Sequence, residues 1–263
     1  MEYTYKFDAE LVAKECVEWI KEWFEHNGPN CNAVIGISGG KDSSVVAALC
    51  VEALGKDRVF GVMMPNGTQS DIADSFKVCE HLNIHNTIVN IEETVSAIQN
   101  SILDGLICLS GINYTEGKLS EQTKINLAPR IRMTTLYAIS QSINGRVVCT
   151  DNLSERFIGY STHWGDNVGD FSPLSNLTSA EVVAVGDVLG LPFELTHKTP
   201  SDGLCGKTDE DNFGFTYNQL NNVIIFNTCG DEEVDNKILE LCRKNHFKRI
   251  DLPSYQPSPE VYK

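Results

Sequence analysis

The chain has 263 residues and a formal net charge of −15 at pH 7, because 36 aspartate and glutamate residues outnumber 21 lysine and arginine residues. This length is sufficient for one substantial core, so we expect a single domain over residues 1–263. Such an acidic surface repels phosphate backbones and excludes nucleic acid as a general partner. Any phosphate group must therefore bind in a local pocket.

Cysteine usage and the first residues indicate the cellular compartment. The nine cysteines are scattered and form no C-x-x-C motif, which is typical of reduced thiols in a cytosolic protein. The N-terminal residues include neither a basic nor an apolar targeting segment, and no apolar run approaches the length of a membrane span. We therefore expect a cytoplasmic protein with no membrane partner.

The first half of the chain alternates between helical and strand patterns. Apolar residues at helical spacing predict a helix over 8–26, and a β-branched run then predicts a first strand that ends at Ser38. The same reasoning predicts further helices over 42–54, 69–82, 93–106 and 123–143, and further strands over 58–64, 85–91 and 145–150. This order indicates an α/β fold with a doubly wound, mostly parallel sheet flanked by helices.

The expected sheet also predicts where a ligand binds. Ligands of open parallel sheets bind beyond the carboxyl ends of the strands, where the winding reverses. If the first and fourth strands are neighbours, Asp42 and residues 151–155 face one pocket. Segments 110–122 and 199–214 lack periodicity, and we expect them to be loops or lids over such a pocket.

The turn between the first strand and the next helix is the most informative motif. Its sequence is Ser-Gly-Gly-Lys-Asp-Ser over residues 38–43. Adjacent glycines let the backbone bend sharply, and the helix directs its unsatisfied N–H groups and positive dipole end into the turn. This arrangement suits phosphate. The hydroxyls of Ser38 and Ser43 could donate to phosphate oxygens, and Asp42 could bind Mg²⁺.

Two other motifs overlap this turn. The P-loop pattern fails at 35–42, where isoleucine replaces the first glycine, and also at 201–208, where serine does. The pattern G-x-S-x-G at 36–40 matches a nucleophile elbow and would make Ser38 the nucleophile of a serine esterase with an α/β-hydrolase fold. This alternative ranks second, because only 37 residues precede Ser38 and no His-Gly-Gly-Gly segment occurs.

Four ordered motifs resemble a known family. The Ser-Gly-Gly-x-Asp-Ser turn resembles the pyrophosphate loop of the N-type ATP pyrophosphatases, which cleave ATP between the α- and β-phosphates. Segments 126–133, 150–170 and 199–210 resemble the Asn-x-x-x-Arg-x-Arg-Met, Thr-x-x-x-x-Glu and Pro-[ST]-x-x-Leu…Thr-Asp-Glu regions of NAD synthetases. The resemblance covers about residues 8–250 and implies an adenine nucleotide alpha hydrolase-like fold.

The resemblance implies a role for each matching position. Those implied to bind ATP are Gly36, Ile37, Ser38, Gly39, Gly40, Lys41, Asp42, Ser43, Met63, Thr150, Ser179 and Ser201. Those implied to bind deamido-NAD⁺, at a homodimer interface, are Arg130, His163, Asp170, Phe247 and Lys248. Asp42 and Glu155 are implied to hold Mg²⁺, and Asp42, Ser38 and Lys41 to act in catalysis.

Two positions depart from the family pattern. His163 and Ser179 stand where many members of the family have lysine. We expect Lys207 or Lys41 to supply the missing positive charge. Proline inside the long predicted helix, at position 129, is expected to kink that helix and aim Arg130 at an anion.

The reaction implied by the resemblance joins deamido-NAD⁺ and ammonia with consumption of ATP and gives NAD⁺, AMP and pyrophosphate through an adenylated nicotinate. Glutamine as the nitrogen donor would need an amidase domain, and the sequence leaves no room for one before residue 38. We therefore expect ammonia as the donor, with a separate amidase subunit as the alternative.

Overall fold

The central sheet has four parallel strands. The computed structural model describes residues 5–107, 118–198, 208–250, 252 and 254. Its strands are β1 (Asn32–Gly36), β2 (Val59–Met63), β3 (His85–Ile88) and β4 (Gly145–Val147). Their spatial order is β3-β2-β1-β4, and every pairing is parallel. The chain thus builds outward from β1 to β3, then returns to the other side of β1, so the winding reverses beside β1.

Helices connect and cover the strands. Before and between the strands lie α1 (Ala9–Asn27), α2 (Lys41–Leu54), α3 (Ile72–Leu82), α4 (Glu92–Ile107) and α5 (Glu121–Ser142). After β4 follow α6 (Leu153–Ile158), α7 (Ser179–Val188), α8 (Phe193–Thr196), α9 (Asp209–Phe213), α10 (Tyr217–Phe226) and α11 (Glu232–Lys244). Short 3-10 turns cover Lys56–Arg58 and His246–Lys248. Among the described residues, no helix is both long and apolar enough to cross a lipid bilayer.

Side chains alternate between the two faces of the sheet, as the strand geometry requires. On one face, Ala33 and Ile35 join a core that includes residues of α1, α2, α3 and α7. On the other face, Val34 and Val62 pack with residues of α4 and α5. Both faces of the sheet are therefore covered, which explains why the β1 sequence reads as an uninterrupted apolar run.

A third apolar cluster lies beyond the sheet and positions α6. It joins α6, α9, α10 and α11 through buried side chains that include Ile158, Phe213, Leu220 and Ile238. Because α6 is the next element after β4, this cluster fixes the position of the segment that leaves the carboxyl end of the sheet.

Two sequence predictions of loops need correction. The predicted loop 199–214 includes α9, because Thr208 and Asp211 form a reciprocal capping box that starts a helix. The predicted loop 110–122 overlaps the start of α5, which Ser120 caps by accepting from Thr123 N. Residues 108–117 and 199–207 lie outside the described residues, and with them the remaining parts of both predicted lids.

Candidate active site

The turn after β1 requires glycine at position 39. Gly39 has a φ of +80°, which side chains with a Cβ rarely adopt. A Cβ there would lie 2.7 Å from the backbone nitrogen of Ser75 and 2.9 Å from Cβ of Asp74. The turn therefore packs directly against the first half of α3, and no other residue fits without moving one of the two segments.

Serine hydroxyls brace this turn from within. Ser38 Oγ lies 3.1 Å from Ser43 Oγ and accepts from Gly40 N over 3.2 Å. Ser44 Oγ donates to Gly40 O over 2.8 Å. The α2 N-cap is Gly40, and no described side chain caps this end of α2. The N–H groups of the first turn of α2 are thus left for a ligand, and the helix dipole favours an anion there.

Asp42 links the start of α2 to the segment that follows β4. Its Oδ2 accepts from Lys41 Nζ over 2.8 Å, and its Oδ1 accepts from Asn152 Nδ2 over 2.9 Å. Asn152 is fully buried and also caps α6, where its Oδ1 accepts from Glu155 N over 3.1 Å. The condition that β1 and β4 are neighbours is confirmed, and Asp42 contacts the segment after β4 through Asn152; that these residues line one binding pocket stays a prediction.

Two further carboxylates in this pocket have raised pKa values. Burial raises the pKa of Asp151 to about 7, and the charge of Asp42 adds to this effect. Burial also raises the pKa of Glu155 well above its usual range; the charge of Asp42 adds to it and Lys41 opposes it. Both carboxyl groups therefore take up protons readily, as expected where acids crowd together with little compensating positive charge.

Lys41 is the cation at the centre of these acids. The residue is only 5% exposed, and its Nζ lies 5.5 Å from the centroid of the Tyr217 ring. Burial lowers the pKa of Lys41, but the surrounding carboxylates, Asp42 first among them, outweigh burial and leave the pKa above its ordinary value. The ammonium is thus held charged and next to the glycine turn.

Asp209 and Tyr217 also lie near Lys41, and neither was predicted as a site residue. The Tyr217 hydroxyl donates to Asp209 Oδ2 over 3.1 Å. Burial, followed by the charges of Glu155 and Asp209, raises the pKa of Tyr217, so the hydroxyl stays protonated and able to donate. Asp209 lies in the Thr-Asp-Glu motif, which offered a signal, whereas nothing in the sequence around Tyr217 marks it as part of a site.

The acids fit a divalent cation. Asp42, Asp151, Glu155 and Asp209 all lie within electrostatic reach of one another or of Lys41. Asp151 Oδ2 is buried without a hydrogen-bond partner among the described residues. No three metal-binding side chains converge within the described ranges. Mg²⁺ that takes other ligands from phosphates and water needs only one or two carboxylates, so the set suits Mg²⁺ bound together with a nucleotide.

A cavity of about 230 Å³ lies next to these acids, since Arg156, which lines it, places Nη1 3.9 Å from Asp151 Oδ2. Glu155 faces the acids, while the next residue, Arg156, lines the cavity. The complete lining is Arg156, His163, Trp164, Asn167, Val168, Lys248, Arg249, Ile250 and Leu252. His163 and Lys248 were both predicted to bind substrate, and the fold brings them together here. The lining is mainly cationic and aromatic, as an anionic ligand with a flat ring would need.

Arg130 and Phe247 lie beside this cavity. Arg130 donates from Nε and Nη2 to the carbonyl of His163, each over 3.2 Å. The ring of Phe247 lies 5.5 Å from that of His163. Burial, together with the charges of Lys248 and Arg130, lowers the pKa of His163, so this ring is a weaker cation than the lysine of the family pattern. The helix α5 continues through Pro129, and Arg130 contacts a carbonyl here.

Other predicted site residues have different surroundings. Asp170 Oδ2 accepts from Val147 N over 2.7 Å, so this carboxylate is engaged at the edge of β4 and does not line the cavity. Met63 is 1% exposed, so contact with a nucleotide would have to use its main chain. Ser179 is buried, and its N–H donates to Ser154 Oγ over 2.9 Å. Thr150 directly follows β4 and the Val148 bridge. Ser201 and Lys207 lie outside the described residues.

The fold and the pocket together define a class of protein. A central parallel strand runs into a glycine turn and an uncapped helix, facing carboxylates from the neighbouring strand, at the point where the winding reverses. This is the arrangement of an α/β domain that binds a nucleotide by its phosphates.

Comparisons with known proteins identify the family within this class. The family model described as NAD synthase matches residues 12–252. The NH(3)-dependent NAD(+) synthetase of Pyrococcus furiosus is 37% identical over 220 residues, which are 83% of this chain and 79% of the relative. That of Methanocaldococcus jannaschii is 34% identical over 267 residues, covering 96% of this chain and 97% of the relative. The chain belongs to the NAD synthase family.

Solved structures support the same assignment. The structure of NMN synthetase from Francisella tularensis superposes with a TM-score of 0.82 at 30% identity, covering 96% of this chain and 100% of that chain. The NH3-dependent NAD synthetase from Campylobacter jejuni superposes with a TM-score of 0.71 at 28% identity over the same shares. The predicted α/β fold and the predicted family are confirmed, whereas the serine-esterase alternative finds no support.

Proposed function

We propose that the protein is a ligase that uses ATP to convert the nicotinate carboxylate of deamido-NAD⁺ into the amide of NAD⁺, with ammonia as the nitrogen donor. The observation that carries this proposal is the uncapped start of α2 behind the Ser38–Ser43 turn, faced by Asp42 and Glu155. Membership of the NAD synthase family agrees with it, as does the similarity to NH(3)-dependent NAD(+) synthetases.

The proposed reaction has two steps. In the first, a carboxylate oxygen of the nicotinate attacks the α-phosphorus of ATP, forming an acyl adenylate and releasing pyrophosphate. In the second, ammonia attacks the acyl carbon, the bond to AMP breaks, and a proton leaves the new nitrogen. The first step is needed because a free carboxylate would have to expel oxide, whereas the adenylate expels AMP.

The chain's own groups supply positioning and charge. The N–H groups at the start of α2 and the hydroxyls of Ser38 and Ser43 would hold the phosphates that leave as pyrophosphate. Lys41 would add a fixed positive charge beside them. The remaining residues proposed to bind ATP are Gly36, Ile37, Gly39, Gly40, Met63, Thr150, Ser179 and Ser201.

Asp42 and Glu155 would hold Mg²⁺, whose chemistry here is to neutralise phosphate charge and orient the α-phosphorus. Crowding of acids around the ammonium of Lys41 supports this, because a divalent cation would offset the negative charge. Asn152 links the two residues, since it contacts the side chain of Asp42 and the backbone of Glu155.

The cavity beside α6 is the proposed site of the acceptor. His163 and Lys248 line it, Arg130 and Phe247 lie beside it, and Asp170 is further away at β4. Adjacent residues of α6 serve the two sites, since Glu155 faces the acids and Arg156 lines the cavity. Arg156 Nη1 also lies 3.9 Å from Asp151 Oδ2, so the cavity adjoins the acids, and the acceptor carboxylate and the α-phosphorus of ATP would meet on that side of α6. Phe247, Trp164 and Leu252 leave an exposed apolar rim there, which supports a homodimer that covers the cavity.

A second acceptor is favoured by one comparison. The NMN synthetase structure superposes more closely than the NAD synthetase structure from Campylobacter jejuni, with TM-scores of 0.82 and 0.71. The acceptor could therefore be the nicotinate mononucleotide, which has the same carboxylate but lacks the adenylate half. The chemistry at Asp42 and Glu155 would be unchanged.

One assay tests both candidates. Purified protein is given ATP, Mg²⁺, ammonium and either acceptor, and AMP, pyrophosphate and amide are quantified, with each component omitted in turn. The proposal expects equal amounts of the three products only in the complete mixture. The ratio of kcat/KM for the two acceptors then identifies the substrate. Release of ADP, or of AMP without any acceptor, would contradict the proposed reaction.

A further inference from the structure

The fully buried side chain of Asn152 makes two hydrogen bonds in opposite directions. Its amide nitrogen donates to Asp42 Oδ1 over 2.9 Å, and its amide oxygen accepts from the backbone N–H of Glu155 over 3.1 Å. Asp42 lies in the first turn of α2 and Glu155 in the first turn of α6. One planar amide therefore connects the starts of the two helices that carry the proposed metal ligands.

The chemistry of this position selects asparagine. Serine, threonine, aspartate and asparagine all cap helices well. Aspartate, when ionised, has no donor for Asp42 and would add negative charge beside Asp151 and Glu155. Serine and threonine carry their hydroxyl one bond closer to the backbone, so the hydroxyl that caps α6 could not also reach Asp42. Of the four, asparagine alone supplies an acceptor for the helix, a donor for the carboxylate and no charge.

We propose that Asn152 is a positioning residue that holds Asp42 and Glu155 in the arrangement with which they bind the divalent cation. The inference rests on the proposed function, since it takes these two carboxylates as the metal ligands. Asp42 is also paired with Lys41, and the hydrogen bond from Asn152 directs the other oxygen of the carboxylate. Without Asn152, the Asp42 carboxylate would be free to rotate about the Lys41 ion pair.

The test compares two variants of the full-length protein, and in each of them serine replaces a helix-capping residue. Asn152→Ser keeps a cap on α6 but removes the donor to Asp42. Asp8→Ser is the matched control, because Asp8 caps α1 by accepting from Leu11 N over 3.0 Å and belongs to no proposed site. Binding of Mn²⁺ is measured by electron paramagnetic resonance in the presence of α,β-methylene-ATP, and the Mg²⁺ concentration for half-maximal turnover is measured separately.

For Asn152→Ser, we expect the dissociation constant for Mn²⁺ to rise about tenfold or more, the range of one hydrogen bond to a charged group. The Mg²⁺ requirement should rise with it, whereas Asp8→Ser should keep the wild-type values of both. A dissociation constant within about twofold of the wild-type value would overturn the inference. If Asn152→Ser does not fold, Asn152→Thr replaces it, since the added methyl group fills part of the vacated space.

This design separates the inference from the proposed reaction. Wild-type protein that binds Mn²⁺ with the nucleotide analogue but makes no amide would contradict the reaction, and Asn152 would still be judged by its effect on Mn²⁺ binding. Wild-type protein that binds no Mn²⁺ would overturn the inference itself.

Discussion

Lys41 and Asp42 are consecutive residues whose side chains form an ion pair at the start of α2, with 2.8 Å between Nζ and Oδ2. A buried ammonium at the N-terminal end of a helix is opposed by the helix dipole and by desolvation. The acids around Lys41 compensate for both effects. A phosphate tail in the turn would be stabilised by the same positive charge and the same dipole. Anion binding therefore explains why Lys41 is buried at this place, whereas a purely structural role would only cost stability.

Replacing Asp42 with asparagine tests the proposed metal ligand and keeps the side-chain shape. We expect Asp42→Asn to lower turnover by about a hundredfold or more, because the variant lacks the negative charge that faces the proposed metal ion and Lys41. The exposed Asp57→Asn on the 3-10 turn before β2 is the control and should retain wild-type turnover. Steady-state rates at saturating Mg²⁺ check this prediction; full turnover by Asp42→Asn would contradict it.

Two glycines with the same φ of +80° allow a matched test of the phosphate turn. In Gly55→Ala the new Cβ meets nothing within 4 Å, so we expect only the conformational cost of about 1–3 kcal/mol in unfolding free energy, with unchanged KM for ATP. In Gly39→Ala the Cβ would also press on Ser75 N, which should shift the turn and raise KM for ATP. Similar KM values for both variants would mean that the turn does not hold ATP.

The hydroxyl of Tyr217 can be removed without removing its ring. We expect Tyr217→Phe to lose about 1–3 kcal/mol of unfolding free energy, because the hydrogen bond to the buried Asp209 is lost. Tyr217→Leu should lose more, since the ring beneath the Lys41 ammonium is then also absent. Chemical denaturation of the three proteins measures both differences, and equal stability of wild type and Tyr217→Phe would be evidence against the hydrogen bond.

The raised pKa of Asp151 predicts how stability depends on pH. A carboxyl group whose pKa is about 7 in the folded state and near 3.8 when unfolded binds its proton more tightly in the folded state. Stability from this group is therefore lost as the pH rises from about 4 through 7. We expect metal-free wild-type protein to lose stability over this range, and Asp151→Asn to lose less. Denaturant titrations in chelator at several pH values test this, and parallel pH profiles would refute it.

The sequence predicted the parallel sheet well, and with it the proximity of the segments that follow β1 and β4. Short apolar runs mark β1 and β2, helical spacing of apolar residues marks α2, and parallel strands with right-handed crossovers leave few possible orders. The approach of Asp42 to residues 151–155 was expected on the condition that the first and fourth strands are neighbours, and the sheet order meets this condition. Helix boundaries differ by a few residues, for example at α3, which begins at Ile72 and was predicted from residue 69.

The rest of the site could not be predicted because it depends on tertiary packing. Tyr217 reaches Lys41 only because the third apolar cluster places α10 beside α6, and no local pattern encodes that contact. The two hydrogen bonds of Asn152 likewise require the positions of two helices to be known. The hydrogen bond of Asp170 to Val147 N also depends on the return of the chain to β4, and its contact with substrate stays a prediction.

The most direct test of the account follows the oxygen atoms of the acceptor. Deamido-NAD⁺ labelled with ¹⁸O in both carboxylate oxygens is converted in the complete mixture, and the products are analysed by mass spectrometry. If the carboxylate attacks the α-phosphorus held at the glycine turn, one labelled oxygen stays in the amide and the other appears in AMP. Label in inorganic phosphate or pyrophosphate, with none in AMP, would contradict the account.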